Sequence, residues 1–297
     1  MKLGEGETSL SSQLKHLYGD GESAAMAAMV MEGITGFSRD KRMNHKEELL
    51  SADQLYSLAE ATKRLLKGEP VQYILGECWF GGLKLFVDKS VLIPRPETEE
   101  LVEWITADIR QKGLPVFLKE PTDADETTKL KILDVGTGSG CIALLLKSKM
   151  PKAEVWGCDV SEEALNIARR NGSELDIRVD FQGVDFLDKA QQKLLPTVDV
   201  IVSNPPYIPQ GEASQLATNV VAHEPHLALF VADNDALVFY KALAHFGKKR
   251  LYDTGSIYAE IHEALGEAVI TLFKEEGYQV ELRKDMQGKD RMVKASR

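Results

Sequence analysis

From Leu130 to the C-terminus the chain alternates short apolar runs with segments of helical spacing, and nothing else in the sequence restricts the fold as tightly. The apolar runs, read as strands, are 131–135, 154–159, 177–182, 198–203, 255–261, 278–282 and 291–294. Helical spacing occupies 141–149, 162–171, 235–246 and 264–276. Strands joined through helices pair in parallel, because each crossover must return over the sheet, and the helices then cover both faces. The expectation is an α/β fold of Rossmann-like type.

The first 76 residues lack this alternation. Apolar residues recur every three or four positions over 9–18, 22–35 and 51–66. The stripes are Leu10, Leu14 and Leu17; Met26, Met29, Val30 and Ile34; and Leu55, Leu58, Ala59, Leu65 and Leu66. Gly36 ends the second segment, and Ser51 with Gln54 forms a capping box that opens the third. Core packing accounts for Met26, Met29 and Met31 better than a binding face does. A small helical domain is therefore expected over 1–76. At 77–93, the run Trp79 to Val87 reads as two short strands around Gly81-Gly82, a β-hairpin linker. Residues 94–297 form the α/β domain. It opens with a helix at Pro94-Arg95-Pro96-Glu97-Thr98-Glu99, where prolines and acids suit a first helical turn. The polar stretch from Lys119 to Thr128 has no periodicity and reads as an exposed loop.

Several function classes are excluded. No apolar run reaches the roughly 18–20 residues of a membrane helix. Met1 to Glu7 lacks the apolar segment of a signal peptide. Cys78, Cys141 and Cys158 have no CxxC spacing, which argues against a disulfide framework or a cysteine zinc site and suits a reducing cytoplasm. The six histidines show no ligand spacing, so no metal is expected. Net charge is −10, and the helical segment carries nine basic against eleven acidic residues. That balance disfavours a protein whose main partner is duplex DNA.

Two motifs carry chemistry. The first is Ile132-Leu133-Asp134-Val135-Gly136-Thr137-Gly138-Ser139-Gly140-Cys141, a strand ending in a glycine turn that opens a helix. Glycines there let the backbone approach a ligand more closely than any Cβ permits. Asp159 lies nineteen residues beyond Gly140, at the tip of the next strand, where an acid accepts from ribose hydroxyls. The spacing is GxGxG and not the GxGxxG of dinucleotide sites. S-adenosylmethionine (SAM), which has a cationic centre and no phosphate, fits this loop better than NAD. Val184-Asp185-Phe186 after the third strand suits adenine, an acid for the amine and an aromatic edge for the ring.

The second motif is Asn204-Pro205-Pro206-Tyr207 at the end of the fourth strand. The prolines fix the backbone and remove two N–H donors. The side-chain carbonyl of Asn204 and the backbone carbonyl of Pro205 then make a two-acceptor fork for a planar –NH2 group, with Tyr207 placed to stack on it. Accepting both hydrogens returns electron density to a delocalised nitrogen as it is methylated. No histidine base is required.

At these residues the sequence resembles the HemK/PrmC family of protein-(glutamine-N5) methyltransferases that modify peptide chain release factors. The resemblance covers nearly the whole chain. It is carried by Gly68-Glu69-Pro70-Val71-Gln72-Tyr73-Ile74-Leu75-Gly76, Val91-Leu92-Ile93-Pro94-Arg95-Pro96-Glu97-Thr98-Glu99, the glycine loop, Asn204 to Tyr207, His223-Glu224-Pro225 and Gln287-Gly288-Lys289-Asp290-Arg291. It implies a class I SAM-dependent methyltransferase domain. It implies that Gly136, Thr137, Gly138, Ser139, Gly140, Asp159, Phe186 and Asn204 contact SAM. It implies that Asn204, Pro205, Pro206 and Tyr207 hold the substrate, the glutamine of a Gly-Gly-Gln loop in a release factor, with Asn204, Pro205 and Tyr207 serving catalysis. The helical domain is implied to help bind that factor. One departure is Phe186, where the family often carries Trp. The alternative is a DNA adenine-N6 methyltransferase, since an adenine amine fits the same fork after base flipping. Arg95, Glu97 and His223-Glu224-Pro225 are left between site and scaffold roles.

Overall fold

The computed structural model describes residues 1–117 and 129–297, and the loop expected at 119–128 lies outside the described residues. Two compact units emerge: residues 1–77 with 217–223, and residues 78–216 with 224–297.

The first unit is helical. Helix α1 (Leu3–Thr35) is interrupted at Gly19, whose φ of 75° is left-handed. It is followed by α2 (Arg39–Asn44), α3 (Ala52–Leu65) and α4 (Val71–Leu75). The capping box is present: Ser51 Oγ accepts from the Gln54 N–H and the Gln54 side chain accepts from the Ser51 N–H. The core gathers Leu10, Leu14, Met26, Val30, Met31, Leu58, Ala61 and Leu65. Four residues of the expected stripes fall outside it, since Leu17, Met29, Ala59 and Leu66 are exposed. In the third helix the buried line runs Leu58, Ala61, Leu65. Thr62 donates its hydroxyl to the Leu58 carbonyl, so it needs no apolar neighbour. Helices α2 and α4 are too short to show a periodicity and were not expected.

The second unit begins with β1 (Cys78–Phe80) and β2 (Leu83–Leu85), an antiparallel hairpin around Gly81-Gly82. Next come α5 (Pro96–Gln111), β3 (Lys131–Val135), α6 (Cys141–Lys149), β4 (Glu154–Asp159), α7 (Glu162–Glu174), β5 (Asp180–Gly183) and β6 (Val198–Ser203). The two-residue strands β7 (Ile208–Pro209) and β8 (Phe230–Val231) pair with each other. Between them lie α8 (Thr218–His223), which belongs to the helical unit, and α9 (His226–Leu229). The chain ends through α10 (Val238–Arg250), β9 (Leu251–Glu260), α11 (Gly266–Glu275), β10 (Gln279–Lys284) and β11 (Asp290–Ser296).

Seven strands form one sheet in the order β10-β11-β9-β6-β3-β4-β5. The five from β9 to β5 are parallel. Strand β11 runs antiparallel to both β9 and β10, a departure from the all-parallel expectation. Its cause is local: only residues 285–289 separate β10 from β11, and so short a connection joins antiparallel neighbours only. Alternate residues of each central strand feed opposite cores. Ile132, Val200 and Val202 pack with α5, α6 and α7, whereas Leu133, Val135 and Ile201 pack with α10 and α11. Chain order reverses between β3 and β6. In open α/β sheets ligands bind at such a point, beyond the carboxyl ends of the strands.

Candidate active site

A cavity of about 320 Å³ opens at that reversal. It is lined by the loops after β3, β4, β5 and β6, with Arg95 and Thr98 from the start of α5. Its volume suits a single small cofactor.

The glycine loop forms one wall. Gly136, Thr137, Gly138 and Ser139 line the cavity, and Gly136 (φ 71°) and Gly138 (φ 53°) are both left-handed. A Cβ on either would meet no protein atom within 4 Å, so only ligand space lies on that side. Gly140 does not line the cavity. Its φ is 80°, and a Cβ there would press on Phe181, Ala168 and Leu144 at 3.1–3.2 Å. Its role is to let α6 pack, not to admit a ligand.

Asp159 lines the cavity beside the loop. Its Oδ2 accepts from the Gly138 N–H at 2.9 Å and its Oδ1 from the Ser161 N–H at 3.0 Å. The side chain thus braces the glycine loop as well as facing the cavity, a link the spacing did not reveal. Burial raises its carboxyl pKa, and these backbone donors oppose the rise. Asp134 lies beneath the loop, fully buried. Its Oδ2 accepts from the Thr137 hydroxyl at 2.7 Å and the Ala143 N–H at 3.2 Å, and its Oδ1 has no partner. Phe186 lines the cavity and meets Phe246 edge-on at 5.2 Å. Val160 and Leu187 complete that wall, both substantially exposed. Sequence reasoning missed them, because a lone aliphatic residue after a strand carries no signal of its own.

Asn171 was missed as well. It is buried on α7; its Nδ2 donates to the carbonyls of Ser139 and Phe86, and its Oδ1 accepts from the Phe86 N–H at 2.7 Å. It ties the glycine loop to the segment after the hairpin.

The residues fit SAM. Arg95 is the one basic side chain lining the cavity among the described residues, and its guanidinium is paired with buried Glu224. A pyrophosphate would find no unpaired cation there. Asp159 and Asp185 leave the lining net negative, which suits a cationic ligand. Glu224 also accepts from the Ile93 N–H at 3.2 Å. Glu224 therefore belongs to the scaffold, Pro225 lines the cavity, and His223 belongs to the helical unit. Glu97 accepts from the Gln287 side chain at 3.2 Å.

Asn204, Pro205 and Pro206 line the cavity at its β6 end; Tyr207 does not. Asn204 Nδ2 donates to Thr98 Oγ1 at 3.1 Å, and Thr98 Oγ1 donates to Glu260 Oε2 at 2.6 Å. The Tyr207 hydroxyl donates to Glu260 Oε1 at 3.2 Å. Tyr207 is turned toward this carboxylate and meets the His262 ring edge-on at 5.9 Å. Asn204 Oδ1 and the Pro205 carbonyl accept no hydrogen bond among the described residues, which leaves both free as acceptors. Burial raises the Glu260 carboxyl pKa, and the two hydroxyl donors and the charge of Arg291 oppose the rise. Burial likewise raises the Tyr207 hydroxyl, so it stays protonated and a donor. Thr98 and Glu260 were not singled out from sequence. Glu260 reaches the site through strand register: β6 and β9 pair with Ser203 opposite Ala259, so positions 204 and 260 emerge side by side, which no local pattern displays.

Residues 8–76 match the PrmC N-terminal domain and residues 114–238 the Methyltransferase small domain. The release factor glutamine methyltransferase of Bacteroides thetaiotaomicron is 39% identical over 97% of this chain and 98% of its own length. That of Flavobacterium psychrophilum is 36% identical over 97% of each. That of Lactococcus lactis is 41% identical over 84% of this chain and 86% of its own. Among solved structures, the hMettl16 catalytic domain in complex with a 3′UTR hairpin aligns with a TM-score of 0.51 at 15% identity, over 83% of this chain and 82% of that one. That likeness concerns the fold alone. With relatives of this identity spanning almost the full length, the chain belongs to the release factor glutamine methyltransferase family.

Proposed function

We propose that this enzyme methylates the side-chain amide nitrogen of the glutamine in the Gly-Gly-Gln loop of a peptide chain release factor, with SAM as donor. The observation that carries the reading is the pair of free acceptors, Asn204 Oδ1 and the Pro205 carbonyl, beside a cavity that suits a cation. SAM supplies an electrophilic sulfonium methyl. Gly136 to Ser139 hold its amino-acid end, Asp159 its ribose and Phe186 its adenine. Asn204 and Pro205 accept the two amide hydrogens. They orient the nitrogen and stabilise the positive charge that grows on it as the N–CH3 bond forms and the S–CH3 bond breaks, the sulfur leaving as a neutral thioether and one amide proton passing to water. Pro206 keeps the loop rigid. Tyr207 follows the fork, and its hydroxyl anchors the loop to Glu260.

The helical unit supplies remote contacts that hold a flexible glutamine in line. A short peptide lacks them and should react slowly. With a net charge of −10, the field of the chain opposes duplex DNA. No described helix is long and apolar enough to cross a membrane. The three cysteines are unpaired, in keeping with work in the cytoplasm beside the translation apparatus.

The test compares three substrates with labelled SAM: the folded factor, its Gly-Gly-Gln peptide and unmethylated duplex DNA. Mass mapping should place one methyl on the glutamine of the folded factor. Equal rates on the peptide would refute the docking role of the helical unit, and faster transfer to DNA would overturn the assignment.

A further inference from the structure

We propose that Glu260 is a positioning residue that sets which atom of Asn204 faces the substrate, acting through the Thr98 hydroxyl. The inference rests on the methyltransferase reading above and goes beyond it.

A side-chain amide has one donor end and one acceptor end, of nearly equal size, so shape does not choose between its two orientations. Thr98 chooses. Its hydroxyl has a single proton. In the structure that proton goes to Glu260 Oε2, so Thr98 Oγ1 is left to accept, and it accepts from Asn204 Nδ2. Asn204 Oδ1 is thereby turned away from Thr98. The polarity of the whole chain is set at its far end, where the carboxyl oxygens of Glu260 accept from the hydroxyls that reach them. Tyr207 donates to the other carboxylate oxygen, so both hydroxyls point their protons at Glu260.

Reversing the end reverses the chain. If the group at position 260 donated to Thr98, the Thr98 proton would turn to Asn204. The amide would then flip to present Oδ1 to Thr98 and –NH2 to the substrate. Two –NH2 groups would face each other and the fork would lose its side-chain acceptor. Glu260 is 2% exposed and Thr98 is 2% exposed, so water cannot substitute for either partner.

Glu260→Gln makes this reversal with almost no change in shape. The new amide oxygen stays on Tyr207, whose hydroxyl proton has no other acceptor among the described residues, and its –NH2 is therefore the end that donates to Thr98, whose own proton can turn to Asn204. Every buried group remains partnered, so the variant should fold. Its kcat should fall by 10²- to 10³-fold, the usual effect of losing one preorganised transition-state contact. SAM affinity by calorimetry should change by less than about 3-fold. The decisive readout is rescue. Thr98→Val cuts the chain and leaves Asn204 free to adopt either orientation, so its own loss should be smaller than that of Glu260→Gln. In the double variant the reversed donor has nothing to act through, so kcat should return to the Thr98→Val level. A purely structural role for Glu260 would give losses that multiply. Multiplying losses, or a Glu260→Gln enzyme within about 3-fold of wild type, would overturn the inference. Should Glu260→Gln fail to fold, Thr98→Val alone decides, since unchanged kcat there would refute it. If wild type transfers no methyl to the factor, the functional reading itself fails, and the inference with it.

Discussion

Asp134 should make the apo protein lose stability as pH rises through the neutral range. The carboxyl is completely buried, with Oδ1 unpartnered, and burial pushes its pKa to about 7 from 3.8. The folded state thus holds the proton up to about pH 7, while the unfolded chain gives it up near pH 4. Between those values the native state binds more protons, so the stability this group contributes falls with increasing pH and is flat outside the window. A gap of about three pH units at about 1.4 kcal/mol each makes about 4 kcal/mol. Asp134→Asn keeps the acceptor for Thr137 and Ala143 but cannot ionise, so it removes the slope. Unfolding in urea is followed by tryptophan fluorescence at pH 4, 5, 6, 7 and 8. All three tryptophans, Trp79, Trp104 and Trp156, lie in the α/β unit and report on it directly. Other titrating groups are common to both proteins and cancel in the difference. The stability of the variant relative to wild type should rise by roughly 3–4 kcal/mol from pH 4 to pH 8. A difference that stays constant within about 1 kcal/mol would refute the account of a carboxyl protonated by burial.

Asn204→Ala removes the side-chain half of the fork and should cost roughly 3–4 kcal/mol of transition-state stabilisation, read as kcat on the folded factor with the fold intact by circular dichroism. A residual rate above about a tenth of wild type would contradict that role. Asp159→Ala should weaken SAM by about 1.5–3 kcal/mol per charged hydrogen bond lost, and calorimetry showing an unchanged Kd would place the ribose elsewhere. Asn171→Ala leaves the Phe86 N–H and the Ser139 carbonyl without their partner, which should destabilise the α/β unit by about 2–4 kcal/mol in the same urea assay. Loss of less than about 0.5 kcal/mol would show that those groups find water.

Much of this molecule is determined by local chemistry and is legible residue by residue. The span of β3, the bounds of α6 from Cys141 to Lys149 and the Ser51 cap follow from apolar runs, a glycine turn and a capping pattern. These are interactions between near neighbours in the chain, so the sequence contains both partners within a few positions. Asn-Pro-Pro-Tyr is informative for the same reason, as its rigidity is covalent. What the sequence does not display is which distant groups finish the site. Thr98 and Glu260 are 162 positions apart, and Asn171 reaches Phe86 across 85. The packing of α5 against the sheet brings Thr98 to Glu260, and the placement of α7 beside the segment after the hairpin brings Asn171 to Phe86. Gly140 shows the same division from the other side. Its motif marks it as part of a ligand loop, yet its Cβ direction is filled by Phe181 and Ala168. The capture of residues 217–223 by the helical unit was likewise decided by long-range packing, whose partners no local pattern identifies.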